Sequence, residues 1–438
     1  MLAPEIIARP GHLPPPRAGN VAYLANLTHI FFGNRGITDE LRRTVHTLES
    51  YGGRLLPIIG LLWDGEENIL AVEVEPLEDF REYFGTTLGL RLPRVFPLKS
   101  DDAPSPELVA AIRDTGTCFL DGFVIDEEVD ALARETGTTL AGSEAGSRLG
   151  NNKYLLHHHL ASAGEPVFDT VDAADTAGVA AAAAELARRG YPHAVVKSQI
   201  GASGIGLVRF DTHDPPEVPA SHFVDGPCLV QGWIDDRTPG IERVASPSVQ
   251  MLITDEEIYF YDLTDQILDS SSVHEGNAAP PRSFTSGDLT RELLRQASVS
   301  ATWLVQQGYR GTASADFHLA FRDDGNVDVR VCELNARVTG ATYPSFLARR
   351  FLPGGAWLMR NLLIPDAAGG ARIFDDLAEA GLLFVPGATA GVLPINFNLT
   401  GERLVCKCQL LFLGPDHRAV DEVVERTLAL RDLKFTRD

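Results

Sequence analysis

The stretch Ala194-Val-Val-Lys-Ser-Gln-Ile-Gly-Ala-Ser-Gly-Ile-Gly-Leu-Val-Arg-Phe210 restricts the fold of this chain more than any other part of its sequence. Two short apolar runs of strand character flank a loop holding Gly201, Gly204 and Gly206, and Lys197 stands at the end of the first run. A P-loop would need Gly-Lys-Ser/Thr opening a helix, and a Rossmann turn needs a complete G-x-G-x-x-G, which Arg209 interrupts. What remains is a glycine flap between antiparallel strands. Such a flap suits a phosphate-bearing ligand, because glycines let backbone N–H groups converge on an anion while Ser203 adds a donor and Lys197 a point charge. A tight β-turn beside an incidental lysine is the plainer alternative, and composition argues against it. Of 38 basic residues 33 are Arg, and Lys occurs only at 99, 153, 197, 407 and 434. Arg is a planar fork and Lys a compact point charge, so a chain that uses Arg almost everywhere gives each lysine added meaning.

A second segment carries carboxylates. Gly311 to Gly340 contains the hairpin signal Asp324-Gly325. With those two residues as the loop, opposed positions sum to 649, and Asp316 faces Glu333. Asn335, two residues on, shares that face. Opposed carboxylates destabilise a ladder unless a cation lies between them, and two carboxylates with an amide oxygen form a hard donor set suited to Mg²⁺. The same register sets Leu319 beside Arg330 and Phe321 beside Asp328, so neither face is cleanly apolar and a bulge could shift the pairing.

The 438 residues are enough for two or three domains. Apolar runs at Val21–Leu27, Arg54–Leu62 and Thr117–Val124 read as strands, with helical spacing over Asp39–Tyr51 and Asp126–Thr136, so residues 1–145 read as a doubly wound α/β unit behind a Pro-rich arm. Beyond 146 short β patterns alternate with helices at 151–163, 176–189 and 288–307, and a β-rich tail follows Pro365. With 60 acidic against 38 basic residues the net charge is −22, which disfavours nucleic acid and anionic membrane surfaces. Leu55–Trp63 is too short for a membrane span. The opening twenty residues have no signal-like apolar stretch, so a soluble, cytoplasmic protein is expected. Five scattered cysteines read as reduced thiols.

Four pieces in order resemble the ATP-grasp superfamily over about 150–345: Asn152-Lys153-Tyr154; Val196-Lys197 with the glycine flap; Leu229-Val-Gln-Gly-Trp-Ile-Asp235; and Asp316 with Glu333-Leu-Asn-Ala-Arg337. The resemblance implies an ATP-grasp fold of α/β (α+β) class with an N-terminal Rossmann-like pre-ATP-grasp domain (1–145), an ATP-grasp domain (146–365) whose flap subdomain covers about 160–230, and a small C-terminal α/β domain (366–438). It implies ATP and Mg²⁺ as cofactors. Lys153 and Lys197, with Gly201, Ser203, Gly204 and Gly206, would contact the nucleotide. Gln231, Trp233, Ile234 and Asp235 would form the adenine hinge, with Asp235 or Asp236 on the ribose. Asp316, Glu333 and Asn335 would hold the metal, and Arg337 would contact transferring phosphate or a substrate carboxylate. The stretches Ser246–Gln250 and Asp265–Leu268, then Gly276 and Pro280, are similar to the pheganomycin-type peptide ligases. That likeness implies a carboxylate–amine ligase joining an amino-acid-like acid to an amino acid or peptide amine through an acyl phosphate, in natural-product biosynthesis, with a homodimer as a common state of such folds.

Two rivals remain at this level: an ATP-grasp phosphotransferase, and a nucleotide-binding module without turnover. A strongly acidic chain with few lysines makes a basic phosphate-acceptor pocket less attractive. His157-His158-His159 would point about 100° apart on a helix and so make a poor metal site. Cys406 and Cys408 read as packed thiols on one strand face. His274 and Arg282 lie in a Gly/Pro-rich loop whose reach the sequence does not define, and the identity of the acid and of the amine is not encoded in any readable motif.

Overall fold

The computed structural model of the chain describes residues 4–45, 51–99, 103–202, 204–268, 274–400, 402, 404–430 and 434–435. Three sheets organise them. The first has five parallel strands in the order Arg94–Pro97, Ile69–Val72, Val21–Leu24, Phe119–Gly122, Thr139–Leu140. Its central strands are apolar on both faces. Tyr23, Leu70 and Val72 enter one core, whereas Ala22, Leu24, Ile69 and Ala71 enter another under the helices Pro106–Asp114 and Glu127–Thr136. Burial on both faces is what a doubly wound parallel sheet requires. Asp126 caps the second helix through the N–H groups of Glu128 and Val129, and Gly137 ends it at φ +72.

One expected strand is corrected. Arg54–Leu62 is not extended; it lies in a 3₁₀ turn, Tyr51–Leu55, and a short helix, Ile59–Leu62, and the second strand is Ile69–Val72. Leu55, Leu56, Ile58 and Ile59 are all buried, and an apolar run buried on every side has no period by which strand and helix can be told apart. The helix packs closely at Gly60, where a Cβ would lie 2.4 Å from the carbonyl oxygen of Arg91.

The second sheet is antiparallel, in the order Thr170–Ala173, Cys228–Gly232, His193–Ala202, Ile205–Asp211. The helix Thr176–Arg188 covers one face with Val179, Ala182, Ala183 and Leu186. The third sheet has eleven strands. From the carboxylate hairpin Gly311–Arg322/Val327–Asn335 it passes through Pro247–Ile253, Glu257–Leu268, His274–Ala279 and Ala356–Ala368 to Val405–Gly414 and Gly391–Leu399. The tail after 380 therefore extends the same sheet. The Pro-rich arm also joins it, since Glu5–Ala8 pairs parallel with Glu257–Leu268. Arg349 and Asp262, each 2% exposed, pair across the interior, and Trp357 also donates to Asp262 at 3.1 Å. Among the described residues no helix is long and apolar enough to cross a membrane.

Candidate active site

Asp316 stands opposite Glu333, and Ser314 opposite Asn335, as the sum of 649 requires. The route to that register differs from the sequence expectation. At the turn Arg322 donates to the carbonyl of Asn326, so the loop has three residues, Asp323, Asp324 and Gly325, with Gly325 at φ +84. Pairs near the turn therefore sum to 648, so that Phe317, Leu319 and Phe321 face Val331, Val329 and Val327 on one apolar face, while His318 faces Arg330 and Ala320 faces Asp328 on the other. A bulge between Phe317 and Asp316 takes up the extra residue at Cys332 and restores the sum of 649 at the carboxylates.

The two acids are held differently. Asp316 accepts from Ser248 (2.5 Å), Ser314 (3.1 Å) and Asn335 Nδ2 (2.9 Å). Burial and the neighbouring Glu333 nevertheless push its carboxyl up to about 6. Burial acts on Glu333 in the same sense, but the charge and hydrogen bond of Lys153, 2.8 Å away, with Arg337 and Lys197 behind, hold it below the ordinary carboxylate range. Lys153 also donates to the carbonyl of Gly201 at 2.8 Å, linking the acid hairpin to the flap. Lys197 is half-buried, and desolvation lowers its affinity for a proton against the pull of Cys332 and Glu333. Its ammonium lies 5.4 Å from the centre of the Phe168 ring.

The donor set fits Mg²⁺. Two opposed carboxylates are hard oxygen ligands, and Asn335 turns its NH₂ towards them, where rotation of the amide would present its oxygen instead. Among the described residues no group of three His, Cys, Asp or Glu side chains forms a fuller metal cage.

The flap is built as the glycines demand. Ala202 pairs with Ile205, and the register shifts between Lys197 and Ala202. Gly206 has φ +81 and no room for a side chain, since a Cβ would meet Ser198 Oγ at 2.2 Å. Gly204 also has positive φ, and a Cβ on Gly201 would meet the Ile205 carbonyl at 2.5 Å. Ser203 lies outside the described residues.

Gln231 sits in the middle strand of the flap sheet, opposite Val195 and Thr170. The chain then leaves the sheet at Trp233 and Ile234, whose carbonyl lies 3.1 Å from His318 Nε2. Arg209 covers the Trp233 ring at 4.7 Å. Asp235 is surrounded by donors: Arg209 (2.9 Å), Arg237 (2.8 Å) and the Trp233 indole (3.2 Å). Its capacity for a ribose hydroxyl is thus largely taken by protein groups, while Asp236 is exposed. Phe168 and His318 carried no motif that pointed to them. Their place against Lys197 and Ile234 follows only from the folded hairpin.

Asp316, Glu333, Asn335 and Arg337 line a cavity of about 600 Å³ together with Ala202 and Gly204 of the flap. Arg337 donates to Asn151. The walls come from every part of the chain: Leu27, Arg54 and Phe123 from the N-terminal unit, Gln250, Gln266 and His274 from the central sheet, Asn398 and Lys407 from the tail. His274 thus reaches the cavity, whereas Arg282 is engaged with Asp421 at 2.8 Å. The three consecutive histidines diverge: His158 faces Asp172 at 3.1 Å, His159 stacks on Trp303, and burial pushes His157 down to about 4. All five cysteines are free, with Cys408 buried.

No family model matches the chain. Over 165 residues, 36% of this chain and 36% of the relative, it is 28% identical to a [butirosin acyl-carrier protein]–L-glutamate ligase of Niallia circulans. The match thus spans just over a third of that relative's length. Over 95% of its length the chain superposes on 99% of an N5-carboxyaminoimidazole synthase from Aspergillus clavatus, solved with ADP and 5-aminoimidazole ribonucleotide, with a TM-score of 0.55 and 14% identity. Over 96% of its length it superposes on 92% of a biotin carboxylase from Campylobacter jejuni, solved with an ATP analogue, with a TM-score of 0.58 and 10% identity. With a doubly wound unit leading into a glycine-flap sheet that stands over a carboxylate-bearing sheet, the chain has the ATP-grasp fold.

Proposed function

We propose that the protein is an ATP-dependent carboxylate–amine ligase that forms an amide or peptide bond through an acyl phosphate. The observation that carries this reading is the pairing of Asp316 with Glu333 at the inner wall of a cavity that Arg337 and the flap share. A substrate carboxylate would attack the γ-phosphate of ATP, releasing ADP, and an amine would then displace phosphate from the acyl group. Chemistry of this kind asks for positioning and charge neutralisation rather than a protein nucleophile. Asp316, Glu333 and Asn335 would hold Mg²⁺, which would neutralise phosphate charge when bound. Lys153 and Lys197 would meet phosphate oxygens, and Arg337 would orient the carboxylate or the phosphate in transfer. The flap would keep water from the acyl phosphate until the amine arrives. The partial likeness to a ligase acting on glutamate supports an amino-acid-like partner, in natural-product biosynthesis. In this reading the chain divides near 145 and 365, Asp235 or Asp236 takes the ribose, and the substrates are a small carboxylic acid and an amino acid or peptide amine.

Incubation with Mg²⁺, ATP and a panel of amino acids and short peptides in hydroxylamine tests the reading. Substrate-dependent ADP with hydroxamate is the expected result. ADP with a phosphorylated product and no hydroxamate would instead identify a phosphotransferase, and AMP would identify adenylation.

A further inference from the structure

Of the five lysines, Lys153 and Lys197 belong to the nucleotide side of the site and Lys99 is exposed. Lys407 lines the same cavity as the metal-type carboxylates but from the opposite end of the sheet. Its surroundings are distinctive. In the strand Gly391–Leu399, Ile395 and Phe397 enter the apolar core, while Asn396 and Asn398 turn to the cavity. In Val405–Gly414, Lys407 and Gln409 turn the same way. The register sets Asn361, Gln409 and Asn396 side by side on three neighbouring strands, and Lys407 beside Asn398 in the next row. Each of the four amides is less than a tenth exposed. Burying amides on a cavity floor is costly unless something bonds to them. The bonds between them, Gln409 to Asn361 at 2.9 Å and Asn396 to Asn398 at 3.4 Å, use only part of their capacity. From the N-terminal unit Arg54 reaches the same compartment, donating to Tyr343 at 2.9 Å, and Tyr343 donates to Gln409 at 3.2 Å.

Amide side chains offer donors and acceptors in the arrangement that peptide groups need, and two cations beside them suit a carboxylate. We propose that this compartment is the subsite for the amine substrate, that it takes an extended peptide, and that Lys407, with Arg54, binds the peptide's free C-terminal carboxylate. The proposal rests on the ligase reading and adds specificity residues to it. It also sets a length. The strand path from Asp316 to Lys407 crosses five strand spacings, or roughly 24 Å at about 4.8 Å each on a flat sheet. An extended chain advances about 3.4 Å per residue, so a peptide of about five to seven residues would place its amine at the carboxylate hairpin and its C-terminus at Lys407.

The test measures binding of alanine peptides of two to six residues, each as free acid and as C-terminal amide, to the full chain with Mg²⁺ and a non-hydrolysable ATP analogue. Affinity is expected to rise with length, and the free acid of the longest peptide to bind at least about tenfold more tightly than its amide. Lys407→Met should remove the acid/amide difference and Lys407→Arg should keep it. Equal binding of acid and amide by the unaltered protein would overturn the proposal, as would a full difference in Lys407→Met, or no binding by any peptide. Hydroxamate formation across the twenty amino acids, measured alongside, judges the ligase reading separately: its absence would count against that reading, while the acid/amide comparison would still judge the subsite.

Discussion

At the closest approach of its two site strands the protein sets two acids against each other and gives them unlike affinities for a proton. Glu333 is charged because Lys153 is bound to it; Asp316, desolvated and beside the charge of Glu333, holds its proton up to about pH 6. For a buried acid whose folded value lies above its unfolded one, the folded state binds more protons in the interval between, so stability falls as pH rises through it. The metal-free protein should therefore lose melting temperature between about pH 4 and 6 through this group, and Mg²⁺, which favours the ionised form, should raise the melting temperature more at pH 7.5 than at pH 5. Asp316→Asn should flatten both effects, as differential scanning fluorimetry would show; an Mg²⁺ response in that variant equal to the unaltered protein's would count against the metal assignment. Glu333→Gln removes both a metal ligand and the partner of Lys153. It should lower ATP turnover by about 100-fold or more, the scale seen when a transition-state charge loses a preorganised partner, and ADP release measures it.

The elements show which parts of this site could be read from sequence. The facing of Asp316 and Glu333 was legible because a pleated hairpin obeys simple arithmetic, yet the arithmetic succeeded through two departures that cancel. Gly325 makes a three-residue loop, and the bulge at Cys332 returns the residue so displaced. The misfit of Leu319 with Arg330 was the trace of those departures, and apolar pairing in the folded hairpin resolves it. Capped helices such as Lys153–Ser162, with Asn152 accepting from Leu155, were readable from local chemistry. The second parallel strand was not, because the neighbouring apolar run, with Leu55, Leu56, Ile58, Ile59 and Leu62 all buried, carries no period. The amide row of the tail was not legible either, since it exists only when the strand Ala356–Ala368 comes into register with the paired strands Gly391–Leu399 and Val405–Gly414. At Gly206 a side chain would meet both a positive φ and Ser198 Oγ, so Gly206→Ala should destabilise the flap sheet by about 1–3 kcal/mol. Adding Ser198→Ala should recover only the steric part, and urea unfolding of the two variants would separate these contributions.

Across the whole molecule a single sheet runs from the carboxylate hairpin to the tail, so one cavity is walled by the N-terminal unit, the central sheet and the tail together. Its interior is tied by Arg349 and Asp262, which join the strand Glu257–Leu268 to the helix Thr342–Phe351 and, through Trp357, to the strand that leads into the tail. Removing one member of a buried pair leaves the other charged and unsolvated. Asp262→Ala should cost about 3–5 kcal/mol in chemical denaturation, and a loss below about 1 kcal/mol would show that the pair is not the tie described. In the proposed reaction ATP activates a carboxylate by phosphorylating it. The most direct measurement follows ¹⁸O from a labelled carboxylate, using an acid found to drive ADP release. Label should appear in inorganic phosphate as amide forms. Label in AMP, or unlabelled phosphate beside an amide product, would rule out an acyl phosphate.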